Sequence, residues 1–139
     1  MSFLLDTNIV SEARKGERAD AGVRTWLASV RATELYISVL VVGEIRQGVE
    51  RLRRRDPAQA EVFDAWLERL RRDFGDRIVP VTTDVAEEWG RMNADDPVPV
   101  LDGLMAATAK AKGMTFVTRN TADISGTGVS MLNPFGSAP

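Results

Sequence analysis

Residues 2–10 read Ser2-Phe3-Leu4-Leu5-Asp6-Thr7-Asn8-Ile9-Val10. The apolar run Phe3-Leu4-Leu5 stops at a carboxylate, and two small hydrogen-bonding residues separate it from the next apolar pair. An apolar run without alternation suits a strand covered on both faces, as in parallel sheets. Ligands of open α/β sheets bind outside the carboxyl ends of the strands, which is where Asp6 falls. Asp, Thr and Asn are also favoured helix N-caps, and Asp6 alone reads more simply as a cap. Three later carboxylates at comparable places change that balance.

Outward from this stretch, strands alternate with helices. The pattern predicts a helix over 21–30 with Val23, Trp26, Leu27 and Val30 on one face, and a short strand over 35–38. Ser38 then caps a helix carrying Val41, Val42, Ile45, Val49 and Leu52, with Glu44 beside that stripe in the opening turns. A further helix over 58–74, stopped by Gly75, completes an arginine-bearing hairpin. Its clusters Arg51-Leu52-Arg53-Arg54-Arg55 and Arg71-Arg72 complement the helix dipoles, with phosphate contact as the second reading. A third strand is expected over 78–81, then a helix begun by a capping box at Asp84-Val85-Ala86-Glu87. After a loop over 93–100, a helix of small residues opens at Asp102 and is capped by Gly113. Strands over 114–118 and 129–132 flank a polar turn at 119–123, and a mobile tail is expected over 133–139. This alternation predicts an α/β fold with a mostly parallel sheet, in one domain.

Composition narrows the chemistry. There is no cysteine and no histidine. Disulfides, thiolate nucleophiles, Cys-ligated zinc, catalytic triads and histidine-based ribonuclease chemistry are excluded. Hydrolysis would have to rest on carboxylates, hydroxyls, Lys, Tyr or a metal held by oxygen. No apolar stretch approaches the roughly 18–20 residues that span a membrane, and no signal peptide is visible, so a cytoplasmic location is expected. The net charge is −2, but setting four acids aside as a metal pocket leaves 16 against 18 basic residues. Fifteen of the basic residues are Arg, suited to phosphate contact, although a GC-rich genome gives the same bias.

Asp6 and Asp123 follow the first and fourth strands, and Glu44 and Asp102 lie in the opening turns of helices. A parallel sheet would carry all four above one edge. Gathered carboxylates repel, raise one another's pKa, and are expensive without a cation. Oxygen-only donors suit Mg²⁺ or Mn²⁺, which orient and deprotonate a water and stabilise a phosphate under attack. Unrelated acids at helix starts are common, and that reading stays open at this point.

Four segments, Leu5-Asp6-Thr7-Asn8, Gly43-Glu44-Ile45, Asp102-Gly103-Leu104-Met105-Ala106-Ala107-Thr108-Ala109 and Thr118-Arg119-Asn120-Thr121-Ala122-Asp123, closely resemble, in this order, the signature segments of PIN-domain nucleases. The short length and the tail from Gly126 to Phe135 look like the VapC toxins of bacterial toxin–antitoxin pairs. The resemblance covers nearly the whole chain. It implies a three-layer α/β/α sandwich over 1–139, Mg²⁺- or Mn²⁺-dependent endoribonuclease activity, a cognate antitoxin and a toxin homodimer. By that matching Asp6, Glu44 and Asp102 would ligate metal, and Asp123 would be an outer acid or a ligand of a second ion. Thr7, Asn8, Thr118 and Asn120 would support them by hydrogen bonds, although Thr118 and Asn120 also suit a plain turn. Ile124 departs from the pattern, standing where an aromatic usually follows the last acid.

An antitoxin could insert an Arg or Lys among the acids and lay an amphipathic segment on the apolar faces at 23–30 and 41–52. Those faces could equally be consumed by the core or by a dimer contact. Two rivals remain. A phosphotransfer or phosphatase domain would also place Asp6 after its first strand, but a dehalogenase-type site needs a second acid where Asn8 stands, and a receiver needs a late Lys where the turn offers Arg119. A non-catalytic PIN-fold binding module would be favoured by loss of one acid, and all four are present.

Overall fold

The structure, a computed structural model, describes residues 1–136. Five strands, β1 (Phe3–Leu5), β2 (Leu35–Ser38), β3 (Ile78–Val79), β4 (Thr115–Val117) and β5 (Met131–Leu132), form one sheet in the order β3-β2-β1-β4-β5. Every neighbouring pair is parallel. Six α-helices connect them: α1 (Thr7–Ala13), α2 (Ala21–Ala28), α3 (Val39–Arg53), α4 (Pro57–Phe74), α5 (Thr83–Met92) and α6 (Val100–Lys112). Helices α1 to α4 pack as one group and α5 with α6 as another, giving the expected three-layer α/β/α sandwich.

The chain winds outward from β1 to β3 on one side, then returns to lay β4 and β5 on the other. Its topological switch point is therefore the crevice between the carboxyl ends of β1 and β4, the place where such sheets bind ligands. Leu5 pairs with Val117, so the residues that follow them, Asp6 and Thr118, emerge side by side. The unbroken apolar run of β1 is explained by its central position: Phe3, Leu4 and Leu5 are all buried, each worth about 1.5–3 kcal/mol. Helix α6 packs on β1 and β4 with Met105, Ala106, Ala107 and Ala109 buried. The three alanines let the helix approach the sheet closely, with Met105 filling the space beside them.

Several boundaries differ from expectation for local reasons. Strand β3 ends at Val79 because Pro80 has no N–H to continue the ladder. Helix α5 is capped by Thr82, whose hydroxyl accepts the Val85 N–H at 3.3 Å. The expected capping residue, Asp84, instead lies in the first turn, where a carboxylate suits the dipole. Helix α2 stops at Ala28, with the Ser29 hydroxyl bonding the Trp26 carbonyl. Strand β5 starts late because Gly128 turns the chain in the left-handed region, at φ 77°.

In the hairpin, α3 and α4 are sewn together by two arginines. Arg46 reaches Glu50, Asp64 and Glu68, and Arg53 reaches Glu50, Glu61 and Asp64. The apolar faces considered for a partner are largely spent on the core, since Val23, Val41, Ile45 and Val49 are buried. In the tail, Phe135 packs against the core and under the Arg119 guanidinium, 4.6 Å from its ring centroid, and the Gly136 N–H donates to Asp20. The rest of the tail expected to be mobile, residues 137–139, lies outside the described residues.

Candidate active site

Asp6 sits at the switch point with both oxygens engaged. Its backbone N–H continues the sheet by donating to the Val117 carbonyl at 2.9 Å. One carboxylate oxygen accepts the Thr7 N–H at 2.7 Å, which makes Asp6 the N-cap of α1. The other accepts the Thr118 hydroxyl at 2.7 Å and the Asn8 amide at 3.3 Å. The cap and the sheet-edge acid are thus the same residue. Only 4% of Asp6 is exposed. That burial pushes its carboxyl above the ordinary range, while the bonds from Thr118, Thr7 and Asn8 pull it back down.

Glu44 projects from α3, whose start is set by the Ser38 cap on the Leu40 N–H. The Thr7 hydroxyl donates to Glu44 at 2.5 Å, tying the first turn of α1 to α3. Asp102, half-buried in the first turn of α6, feels the other acids directly. Its carboxyl is raised first by burial and then by the negative charges of Asp6, Glu44 and Asp123. Asp123 is exposed in the 3-10 turn Thr121–Thr127 that follows β4. The structure therefore brings the four sequence-predicted acids into one electrostatic neighbourhood. Among the described residues, no three of them stand close enough to hold an ion without moving. Their all-oxygen chemistry nevertheless fits a hard divalent cation.

The smaller residues sort themselves by contact. Thr118 is fully buried, and besides donating to Asp6 its hydroxyl accepts the Asn120 N–H at 3.0 Å. Asn8 bridges Asp6 to the Arg119 N–H, which its side-chain oxygen accepts at 3.3 Å. Asn120 offers its backbone, and its side chain makes no capping bond. Ile124, at the position that departs from the family pattern, is buried in the core.

One supporting residue escaped the sequence reading. The N-cap position of helix α6, Pro99, offers no side-chain capping bond. The loop that leads into the helix is held by Asn93, whose amide donates to the Trp89 carbonyl at 3.0 Å and whose oxygen accepts the Val98 N–H at 2.9 Å. The folded loop then presses on Gly103, where a Cβ would meet Val98 Cγ2 at 3.0 Å. A glycine directly after an acid in a helical run was the available signal.

The PIN domain family model matches residues 3–125. The chain is 29% identical over 144 residues to the VapC ribonuclease Y4jK of Sinorhizobium fredii, across 98% of this chain and 99% of that one. It is 30% identical over 142 residues to toxin FitB of Neisseria gonorrhoeae, across 96% and 98%. The crystal structure of FitAcB from Neisseria gonorrhoeae matches with a TM-score of 0.86 at 30% identity, over 95% of this chain and 97% of that chain. The structure of FitAB bound to an IR36 DNA fragment also matches with a TM-score of 0.86, at 29% identity, over 99% and 98%. This chain belongs to the PIN-domain family.

Proposed function

We propose that this protein is the toxin of a toxin–antitoxin pair, an endoribonuclease that hydrolyses RNA phosphodiester bonds with a divalent cation. The observation that carries the reading is the convergence of three negative charges on half-buried Asp102 at the switch point of a PIN fold. Asp6, Glu44 and Asp102 would hold the cation, Mg²⁺ or Mn²⁺, and Asp123 would act as an outer acid or serve a second ion. Once bound, the cation would supply an activated water and charge neutralisation at the phosphate. The chain's own part is orientation. Thr118 and Asn8 fix one Asp6 oxygen, the Thr7 backbone fixes the other, and the Thr7 hydroxyl holds Glu44. With no histidine in the chain, attack by water is favoured over 2′-hydroxyl cyclisation, so products should carry a 5′-phosphate and a 3′-hydroxyl.

A phosphotransfer role for Asp6 fits poorly, because both its oxygens are hydrogen-bonded and almost no surface of it is exposed. The partner we propose is a cognate antitoxin, acting on a toxin homodimer in the cytoplasm. A cation from its tail would enter the acid pocket and displace the metal. No helix among the described residues is long and apolar enough to cross a membrane. Cleavage of RNA should stop in EDTA and return with Mg²⁺ or Mn²⁺. Undiminished cleavage in EDTA, or products ending in 2′,3′-cyclic phosphate, would sink the mechanism.

A further inference from the structure

A groove of about 400 Å³ opens beside the acids, between α1 and the α3–α4 hairpin. Thr7 and Glu44 line one part of it, and Leu52, Phe63 and Trp66 supply much of its apolar wall. Glu44 is the one acid among its lining residues, against the cations Arg14, Lys15 and Arg55. The Arg14 guanidinium lies 3.8 Å from the Phe63 ring centroid and 5.7 Å from that of Trp66. Phe63 and Trp66 meet edge to face and are only partly buried. Arg46 and Arg53, elsewhere on the hairpin, are held by carboxylates. Among the described residues, Arg14 and Arg55 have no such ion pair, whereas Lys15 is tied to Glu12.

Flat π-surface, uncompensated cations and a path to the acids describe a nucleotide more closely than a peptide. An apolar helix would match the wall but leave Arg14 and Arg55 without counter-charge. Unpaired bases stack on aromatic rings and on guanidinium planes alike. We propose, resting on the ribonuclease reading above, that this groove seats one unpaired nucleotide of the RNA beside the scissile phosphate. Its base extends the Arg14–Phe63 stack, and its phosphate pairs with Arg55.

The test is steady-state cleavage of a single-stranded oligonucleotide bracketing a mapped cleavage site, with each flanking position made abasic in turn. For the wild type, one abasic position should raise KM about 5- to 150-fold with kcat little changed. Arg14→Lys keeps the charge and removes the plane; Phe63→Leu keeps apolar bulk and removes the π-face. Each should raise KM for intact RNA and become insensitive to that abasic position. Arg55→Gln, at an exposed side chain, should raise KM and flatten its salt dependence. Equal effects at every abasic position, or effects that multiply with Arg14→Lys, would overturn the subsite alone. So would variants that keep KM but lose antitoxin binding, which would give the groove to the protein partner. Failure of the wild type to cleave intact RNA would remove the ribonuclease reading and the subsite with it.

Discussion

Replacing Thr118 by Val removes one hydroxyl and nearly conserves the volume of a fully buried side chain. Two bonds are lost, the donation to Asp6 at 2.7 Å and the acceptance of the Asn120 N–H at 3.0 Å. The first is made to a carboxylate, worth about 1.5–3 kcal/mol, and the second about 0.5–1.5 kcal/mol. Both losses leave a polar partner short of a bond, so stability at neutral pH should fall by about 2–4.5 kcal/mol. Burial already raises the Asp6 carboxyl, and Thr118 is the foremost of the bonds opposing that rise. A carboxyl raised by folding contributes stability below its unfolded pKa, and loses it as pH climbs through the folded value. Thr118→Val raises the Asp6 carboxyl further, so its deficit should be largest at neutral pH and narrow as Asp6 protonates. Urea unfolding of both proteins in EDTA, at neutral and mildly acidic pH, measures this. The Mn²⁺ affinity should also drop about 10- to 100-fold, as when a bond that orients a ligand is removed, and Thr118→Ser should restore it. A deficit equal at both pH values, with Mn²⁺ affinity intact, would mean that Thr118 only packs a turn.

Asp102→Asn should abolish most cleavage while holding or raising the metal-free melting temperature. The gain should grow as pH rises through the raised Asp102 carboxyl and fade in acid; unfolding of the variant at neutral pH would instead make Asp102 a structural residue of the first turn of α6. Gly103→Ala forces a Cβ within 3.0 Å of Val98 and 3.2 Å of Asn93, an overpacking that should cost about 1–3 kcal/mol by chemical denaturation; an unchanged midpoint would show that the 93–98 loop yields freely. Coexpression with the neighbouring gene's product should give an inactive complex. Neutralising one basic residue in that product's tail should return nuclease activity with the complex intact on gel filtration, and a partner that binds without slowing cleavage would rule the arrangement out.

Much of this protein is legible in the order of its residues. The unbroken run Phe3 to Leu5, the small side chains of α6 and the acids at strand ends and helix starts report local environments directly. A strand covered on both faces has no polar position to alternate with, and a helix packed tightly on a sheet has no room for large side chains. The four acids announced themselves because Asp6 and Asp123 follow strands β1 and β4, and Glu44 and Asp102 lie in the opening turns of helices. What only the tertiary structure decided are the choices between partners that local sequence leaves equivalent. Thr118 is a plausible turn residue until β4 pairs with β1 and delivers its hydroxyl to Asp6 across 112 positions. Arg53 reads as complementing the helix dipole or contacting phosphate until α4 folds back and presents Asp64 to it and to Arg46. Thr82 and Asp84 are comparable caps, and the choice fell to Thr82, whose hydroxyl is set against the Val85 N–H. Arg14 meets Phe63 only because α1 and α4 share a layer. These contacts depend on strand order and helix packing, which arise from burial summed over the whole chain and leave no periodic mark in any single stretch.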